Sequence, residues 1–273
     1  MTANQGIYLY AVVPAEAALP TMAGICDEPT QLLAGSGLGV LTSEVSAESF
    51  AAINDESGDA ALLGELARRH DTVVRAAADA AGAALPLRLG TVVTGRRALL
   101  DLLAVRGEHL RRLLAKVAGC DEFGVRVSAG SSTAASSHDA EDSESGTPAP
   151  GGSPAGSADD TEERSASIGA GLAYLQQRRE ALQSVQRRRE ASAVLAAHVD
   201  EALREQAVDA VTGRGGNILD RTYLVRRDRW SKFIEVVDQC GDRLAAEGYT
   251  LSVNGPWPPY SFSVTNLKVA DRG

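Results

Sequence analysis

Between Ser128 and Ser167 the chain contains no Val, Ile, Leu, Met, Phe, Tyr or Trp, and this gap limits how the rest can fold. A stretch of Ser, Ala, Gly, Pro and acidic residues cannot bury enough apolar surface to offset the entropy of ordering it. It therefore reads as a disordered acidic insertion over residues 130–165, and a core must come from the apolar runs on either side. Residues 130–163 carry Asp139, Glu141, Asp142, Glu144, Asp159, Asp160, Glu162 and Glu163 with no Lys or Arg, which is nearly all of the net charge of -9. The flanking parts are close to neutral and lack the strongly basic face expected of a nucleic-acid binder. Solubility and reach are the default role of such a segment, and an acidic recognition tail is the sharper one.

Before the gap, Ile7 to Val13 is a β-branched and aromatic run stopped by Pro14, as in a buried strand. Gly35-Ser-Gly-Leu-Gly39 lacks the strand-then-helix context of a dinucleotide fingerprint and reads as a turn into a strand over Val40–Val45. A helix is expected from Asp59 to Ala81, with His70 as a satisfied interfacial side chain, because Asp71 beside it diverges on a helix. Leu85 to Val93 alternates like one extended strand. Thr94 is placed to cap a helix through Leu99 to Leu103, a second helical pattern covers Glu108–Val117, and Phe123–Val127 alternates as a strand.

After the gap, Ile168 to Val211 has a helical pattern roughly 65 Å long at about 1.5 Å per residue. Leu172, Leu175, Leu182 and Val185 give it a narrow apolar stripe, and Leu195, Val199 and Leu203 a fuller one. Arg178, Arg179, Arg187, Arg188 and Arg189 are candidates for meeting an acidic partner or the acidic insertion, against the plainer reading of a solvated face. A strand over Thr222–Val225, a helix over Arg229–Glu247 and a strand over Tyr249–Val253 follow. In Gly255 to Phe262, three prolines stiffen the backbone and set Trp257, Tyr260 and Phe262 close together. Trp257, Pro258, Pro259, Tyr260 and Phe262 read as a structural clasp packed on the chain itself. The alternative is an exposed ligand for an SH3- or WW-type groove.

Catalytic chemistry has no positive support. His70, His109, His138 and His198 show no ligand spacing with one another or with Cys26, Cys120 and Cys240. There is no Walker motif and no Gly-x-Ser-x-Gly elbow, so no catalytic, metal or cofactor residues are assigned and no cofactor is expected. No apolar run of membrane-spanning length occurs, and Met1 to Gly6 is unlike a signal peptide, so a cytoplasmic protein without membrane or nucleic-acid partners is expected.

The ordered pieces Ile7-Tyr-Leu-Tyr-Ala-Val-Val13, His70-Asp-Thr-Val-Val74, Leu85-Pro-Leu-Arg-Leu-Gly-Thr-Val92, Glu122-Phe-Gly-Val-Arg-Val127, Tyr223-Leu-Val-Arg-Arg-Asp228 and Gly255-Pro-Trp-Pro-Pro-Tyr-Ser-Phe262 resemble, in this order, the gas vesicle protein F/L family. The departures are Leu89 where the family usually shows Phe, Phe123 where Trp is usual, and the acidic insertion. The resemblance implies an α+β protein of two domains with a long helix: an N-terminal domain over 1–118, a modified ferredoxin-like domain over 119–254, and a clasp and tail over 255–273. It further implies a non-catalytic accessory protein, associated with gas vesicles, whose partners are the small hydrophobic shell protein and other accessory proteins. The alternative is a small-ligand protein or enzyme on a ferredoxin-like scaffold, marked by a deep polar pocket. Excising residues 131–163 is expected to leave the thermal melting temperature nearly unchanged, whereas a large fall would show that the segment belongs to the core.

Overall fold

The computed structural model describes residues 6–46, 60–130, 160–213 and 215–263, with side chains described only from 175 onward in the segment that opens at 160. The disordered insertion expected over 130–165 thus lies, from 131 to 159, outside the described residues, as do residues 264–273 of the expected tail.

Strand β1 (Gly6–Pro14) is the centre of the first sheet. Tyr8 to Val13 are at most 1% exposed, which is why this strand reads as a continuous apolar run rather than an alternation. On one side it pairs with β3 (Leu38–Val45), which pairs in turn with β2 (Gln31–Gly35). On the other side lie β4 (Leu85–Pro86) and β5 (Val92–Val93), and every pairing is antiparallel. A register shift between Leu9 and Ala11 puts Tyr10 and Ala11 in one core cluster and leaves Leu9 and Val12 in the other. Helix α1 (Ala60–Ala81) covers the tyrosine face through Val73, Val74 and Ala77, and α2 (Arg96–Val117) covers the other through Leu99, Leu103 and Leu110.

Three local readings change here. Strand β2 was not anticipated, since its five residues carry too little pattern; it forms because Ser36 and Gly37, both at positive φ, make a tight hairpin turn back from β3. Leu85 to Val93 is two short strands, broken where the Thr91 N–H and hydroxyl both donate to the Arg88 carbonyl and Gly90 turns at a φ of 81°. The expected cap at Thr94 is not used: Gly95 is the N-cap and α2 runs unbroken through Gly107, where a Cβ would lie 3.5 Å from Ser36 Cβ.

The second sheet has the order β7-β8-β6-β9, all antiparallel, from β6 (Cys120–Ala129), β7 (Asp209–Thr212), β8 (Leu219–Arg226) and β9 (Tyr249–Trp257). Helix α3 (Asp160–Arg204) joins β6 to β7, and α4 (Trp230–Ala246) joins β8 to β9. Both helices pack on one face, where Ala196, Val199 and Leu203 of α3 and Phe233 and Val237 of α4 meet Phe123, Val125 and Tyr223. Helix α3 starts inside the span expected to be disordered, in a stretch from which Gly and Pro have dropped out. It also ends earlier than its periodicity suggested, because Asp209 to Thr212 gains a full ladder against Thr222 and its neighbours by becoming an edge strand.

His70, buried on α1, ties the first sheet together. Its Nε2 lies 3.0 Å from the Leu87 carbonyl and so carries the proton, leaving Nδ1 to accept from the Tyr8 hydroxyl at 2.9 Å. Tyr8 in turn accepts the Gly90 N–H. Burial holds the imidazole down at about 4, against 6.5 for a free histidine. The unfolded chain thus takes up this proton first, so the stability tied to His70 is complete above about 6.5 and declines, by at most about 3 kcal/mol, as pH falls toward 4. A His70→Gln variant should be less stable than the parent at pH 7 and close that gap by pH 4, read from urea midpoints at the two pH values.

Candidate functional site

The C-terminal arm begins as part of the edge strand β9, where a proline N–H is not missed. Gly255 has a φ of 129°, and a Cβ there would stand 2.7 Å from the Glu122 carbonyl, so only glycine lets the arm lie this close to β6. Beyond β9 the chain turns inward: Pro258 and Pro259 are buried, Tyr260 to Phe262 make a single 3-10 turn, and Phe262 is 6% exposed. Phe262 joins the cluster of Leu103, Leu110 and Leu114. Tyr260 is partly buried and its hydroxyl donates to Asp71 Oδ1 at 3.1 Å. Trp257 stays 42% exposed with the Arg75 guanidinium 4.3 Å above its ring, while Arg75 also donates to the Pro256 carbonyl. The structure thus brings four of the five expected clasp residues into contact with the body by burial, and Trp257 by stacking on α1.

Glu122 is the arm's main polar anchor, and it was not singled out from the sequence. Its Oε2 accepts the Ser261 N–H at 2.7 Å and its Oε1 the Ser261 hydroxyl at 3.3 Å. Burial pushes its carboxyl up to about 7, against the lowering effect of the two Ser261 donors. No signal in the sequence sets Glu122 apart, because β6 carries Asp121 beside it and Arg126 further along.

Beside the arm, Arg227 donates to both oxygens of Asp121, at 2.9 and 3.3 Å, and reaches Asp79 on α1. These groups line a cleft of about 200 Å³ with Arg75, Trp230 and Trp257, smaller than the roughly 300–1,000 Å³ of ordinary ligand pockets. The buried Trp230 indole N–H has no partner there. Among the described residues no group of three His, Cys, Asp or Glu is placed to hold a metal ion, and no helix is long and apolar enough to cross a membrane.

The second feature is the free-standing part of α3. Every residue from 175 to 191 is exposed, and Leu175, Leu182 and Val185 are 62%, 63% and 47% exposed. Helical spacing puts Arg178, Arg179 and Arg189 on the same face as these three side chains, and they line one shallow groove together. Arg187 and Arg188 fall on other sides of the helix, so the five arginines are not one cluster.

Over residues 6–264 the sequence matches the family described as gas vesicle synthesis protein GvpL/GvpF. Gas vesicle protein L of Streptomyces sp. (strain CB03234) is 30% identical over 96% of this chain and 94% of its own length. Gas vesicle protein L1 of Halobacterium salinarum is 26% identical over 96% of this chain and 92% of its own length. The crystal structure of gas vesicle protein GvpF from Anabaena sp. PCC7120 shares the fold, with a TM-score of 0.63 and 20% identity over 96% of this chain and 97% of that one.

Two results are expected of the arm. Its folded-state carboxyl pKa of about 7 lies above the 4.5 of a free glutamate, so the stability linked to Glu122 is complete below about 4.5 and declines as pH rises through 7, by at most about 3 kcal/mol. Glu122→Gln should therefore gain on the parent between pH 5 and pH 8 in urea unfolding. Phe262→Ala should cost about 3–5 kcal/mol by leaving a cavity, whereas Trp257→Ala should cost only about 1 kcal/mol, the scale of an exposed cation–π contact.

Proposed function

The chain belongs to the GvpL/GvpF family of gas vesicle synthesis proteins, and from that membership we propose that it is a non-catalytic assembly factor. In this reading it binds the small hydrophobic shell protein and other accessory proteins while a vesicle nucleates or grows, as a cytoplasmic protein associated with gas vesicles. A very apolar, self-associating subunit has to be kept soluble and presented in order, which calls for an exposed apolar face with a charged rim. The observation that carries the proposal is the face of α3 on which exposed Leu175, Leu182 and Val185 lie among Arg178, Arg179 and Arg189.

The body supplies the mount for that face. A modified ferredoxin-like unit over 119–254 is supported by the succession β6-α3-β7-β8-α4-β9 and the strand order β7-β8-β6-β9. An N-terminal domain over 1–118 is supported by the membership of β1 to β5 in a separate sheet. Within the clasp and tail expected over 255–273, Trp257 to Phe262 act as the tie between them. The rival reading, a small-ligand protein or enzyme on the same scaffold, has the small cleft beside Trp230 in its favour among the described residues.

The test is co-expression with the shell protein followed by affinity capture. The parent chain should retain the shell protein, and a Leu182→Glu/Val185→Glu variant should retain at least tenfold less at an unchanged melting temperature. The proposal fails where neither capture nor vesicle formation depends on this chain.

A further inference from the structure

The apolar stripe of α3 has a covered part and an uncovered part. Ala196, Val199 and Leu203 are buried against the second sheet and α4. At about 100° per residue, Val185, Leu182 and Leu175 lie on that same side, all six within an arc of roughly 120°. The spacing between Leu175, Leu182 and Val185 is that of a helix-packing seam, seven residues and then three. Residues 175–191 nevertheless stay exposed, so a core-facing seam continues about 25 Å beyond the part that the body covers.

We propose that this overhang is the docking seam for one acidic, amphipathic helix of another protein, laid along α3 so that it prolongs the packing already made with α4. The proposal deepens the assembly-factor reading and rests on it. The partner's apolar positions would fill the spaces around Leu175, Leu182 and Val185, and its carboxylates would face Arg179 and Arg189. Neither arginine forms an ion pair among the described residues.

Charge and composition select this occupant over three others. A second copy of the chain would bring together two segments that each carry five arginines and two glutamates between residues 175 and 194, and like charges at close range oppose that pairing. The acidic stretch of this chain before α3 offers carboxylates but has no large apolar side chain from Ser128 to Ser167 to fill the seam. A lipid surface would take an unbroken apolar face, whereas Arg189 lies inside the arc.

The test uses the full chain and two synthetic three-heptad helices with Leu at the seam positions, one flanked by Glu and the other by Lys, followed by fluorescence anisotropy. The Glu peptide should bind with an affinity that falls as salt is raised, and the Lys peptide at least tenfold more weakly. Arg179→Glu/Arg189→Glu should reverse that preference. Leu182→Glu/Val185→Glu should weaken both peptides at least tenfold without lowering the melting temperature. Equal binding of the two peptides overturns the proposal. So does dimerisation of the parent, seen by sedimentation and lost in Leu182→Glu/Val185→Glu, which would assign the seam to a second copy. Parent binding to mixed anionic and zwitterionic lipid vesicles that the same variant loses would assign it to a membrane surface. Loss of Glu-peptide binding with shell-protein capture intact in that variant keeps the acidic-helix seam and moves capture elsewhere. A parent that captures shell protein yet ignores the Glu peptide sinks the seam and spares the assembly reading.

Discussion

Leu224 and Cys120 come from the second sheet, yet they are buried in the same cluster as Leu9 of the first sheet and Leu103 and Leu110 of α2, and the architecture depends on that shared burial. The second sheet packs its helices on one face only, so the opposite side at this end has to be covered from elsewhere. Helix α2, strand residues of the first sheet and Phe262 share in covering it. The ion pairs around the rim, Arg227 with Asp121 and Asp79 and Lys116 with Asp209, follow from this placement rather than cause it. Partly exposed pairs contribute about 0–1 kcal/mol each, whereas a fully buried Phe or Leu contributes roughly 1.5–3 kcal/mol.

His70 and Glu122 show how buried polar groups select one arrangement of the apolar packing around them. Each is nearly inaccessible, and burial shifts each toward its neutral form, yet the surroundings differ. The histidine has a donor on one nitrogen and an acceptor on the other, both matched to a single neutral tautomer. The glutamate receives donors that suit its charged form, and desolvation outweighs them. One residue fixes α1 against the broken edge of the first sheet and the other fixes β6 against the arm. Their net energy is modest, but a displaced partner would strand a buried polar atom, and that cost penalises other packings.

The parts legible in the sequence are those whose local pattern and final environment agree. The doubly buried β1 reads as an apolar run, the arm is marked by its prolines, and α1 and α4 by strong helical spacing. Where tertiary context overrides a local tendency, the sequence misleads. Asp209 to Thr212 continues a helical pattern but becomes a strand, because a neighbour supplies a ladder. Leu85 to Val93 alternates like one strand but is broken by a turn around Gly90, whose N–H is taken by Tyr8, a residue 82 positions earlier in the chain. At the candidate site, the exposed leucines and arginines of α3 could be picked out from spacing alone. Glu122 could not, since nothing near it in the chain shows that Ser261 will arrive to meet it.

Because residues 175–191 of α3 are exposed and the body takes hold at about Leu195, that stretch of the helix is a cantilever. A sideways load at Leu175 acts about 30 Å from Ala196, at 1.5 Å per residue. The fulcrum is the packing of Leu195, Ala196, Val199, Ala202 and Leu203 together with the Asp200 contacts to Tyr223 and Arg221, and only a few residues separate Arg204 from the edge strand β7. Torque applied to the free end is therefore delivered to the rim of the second sheet, opposite the edge that the arm extends. Whatever seats on the helix tip holds a lever on the sheet.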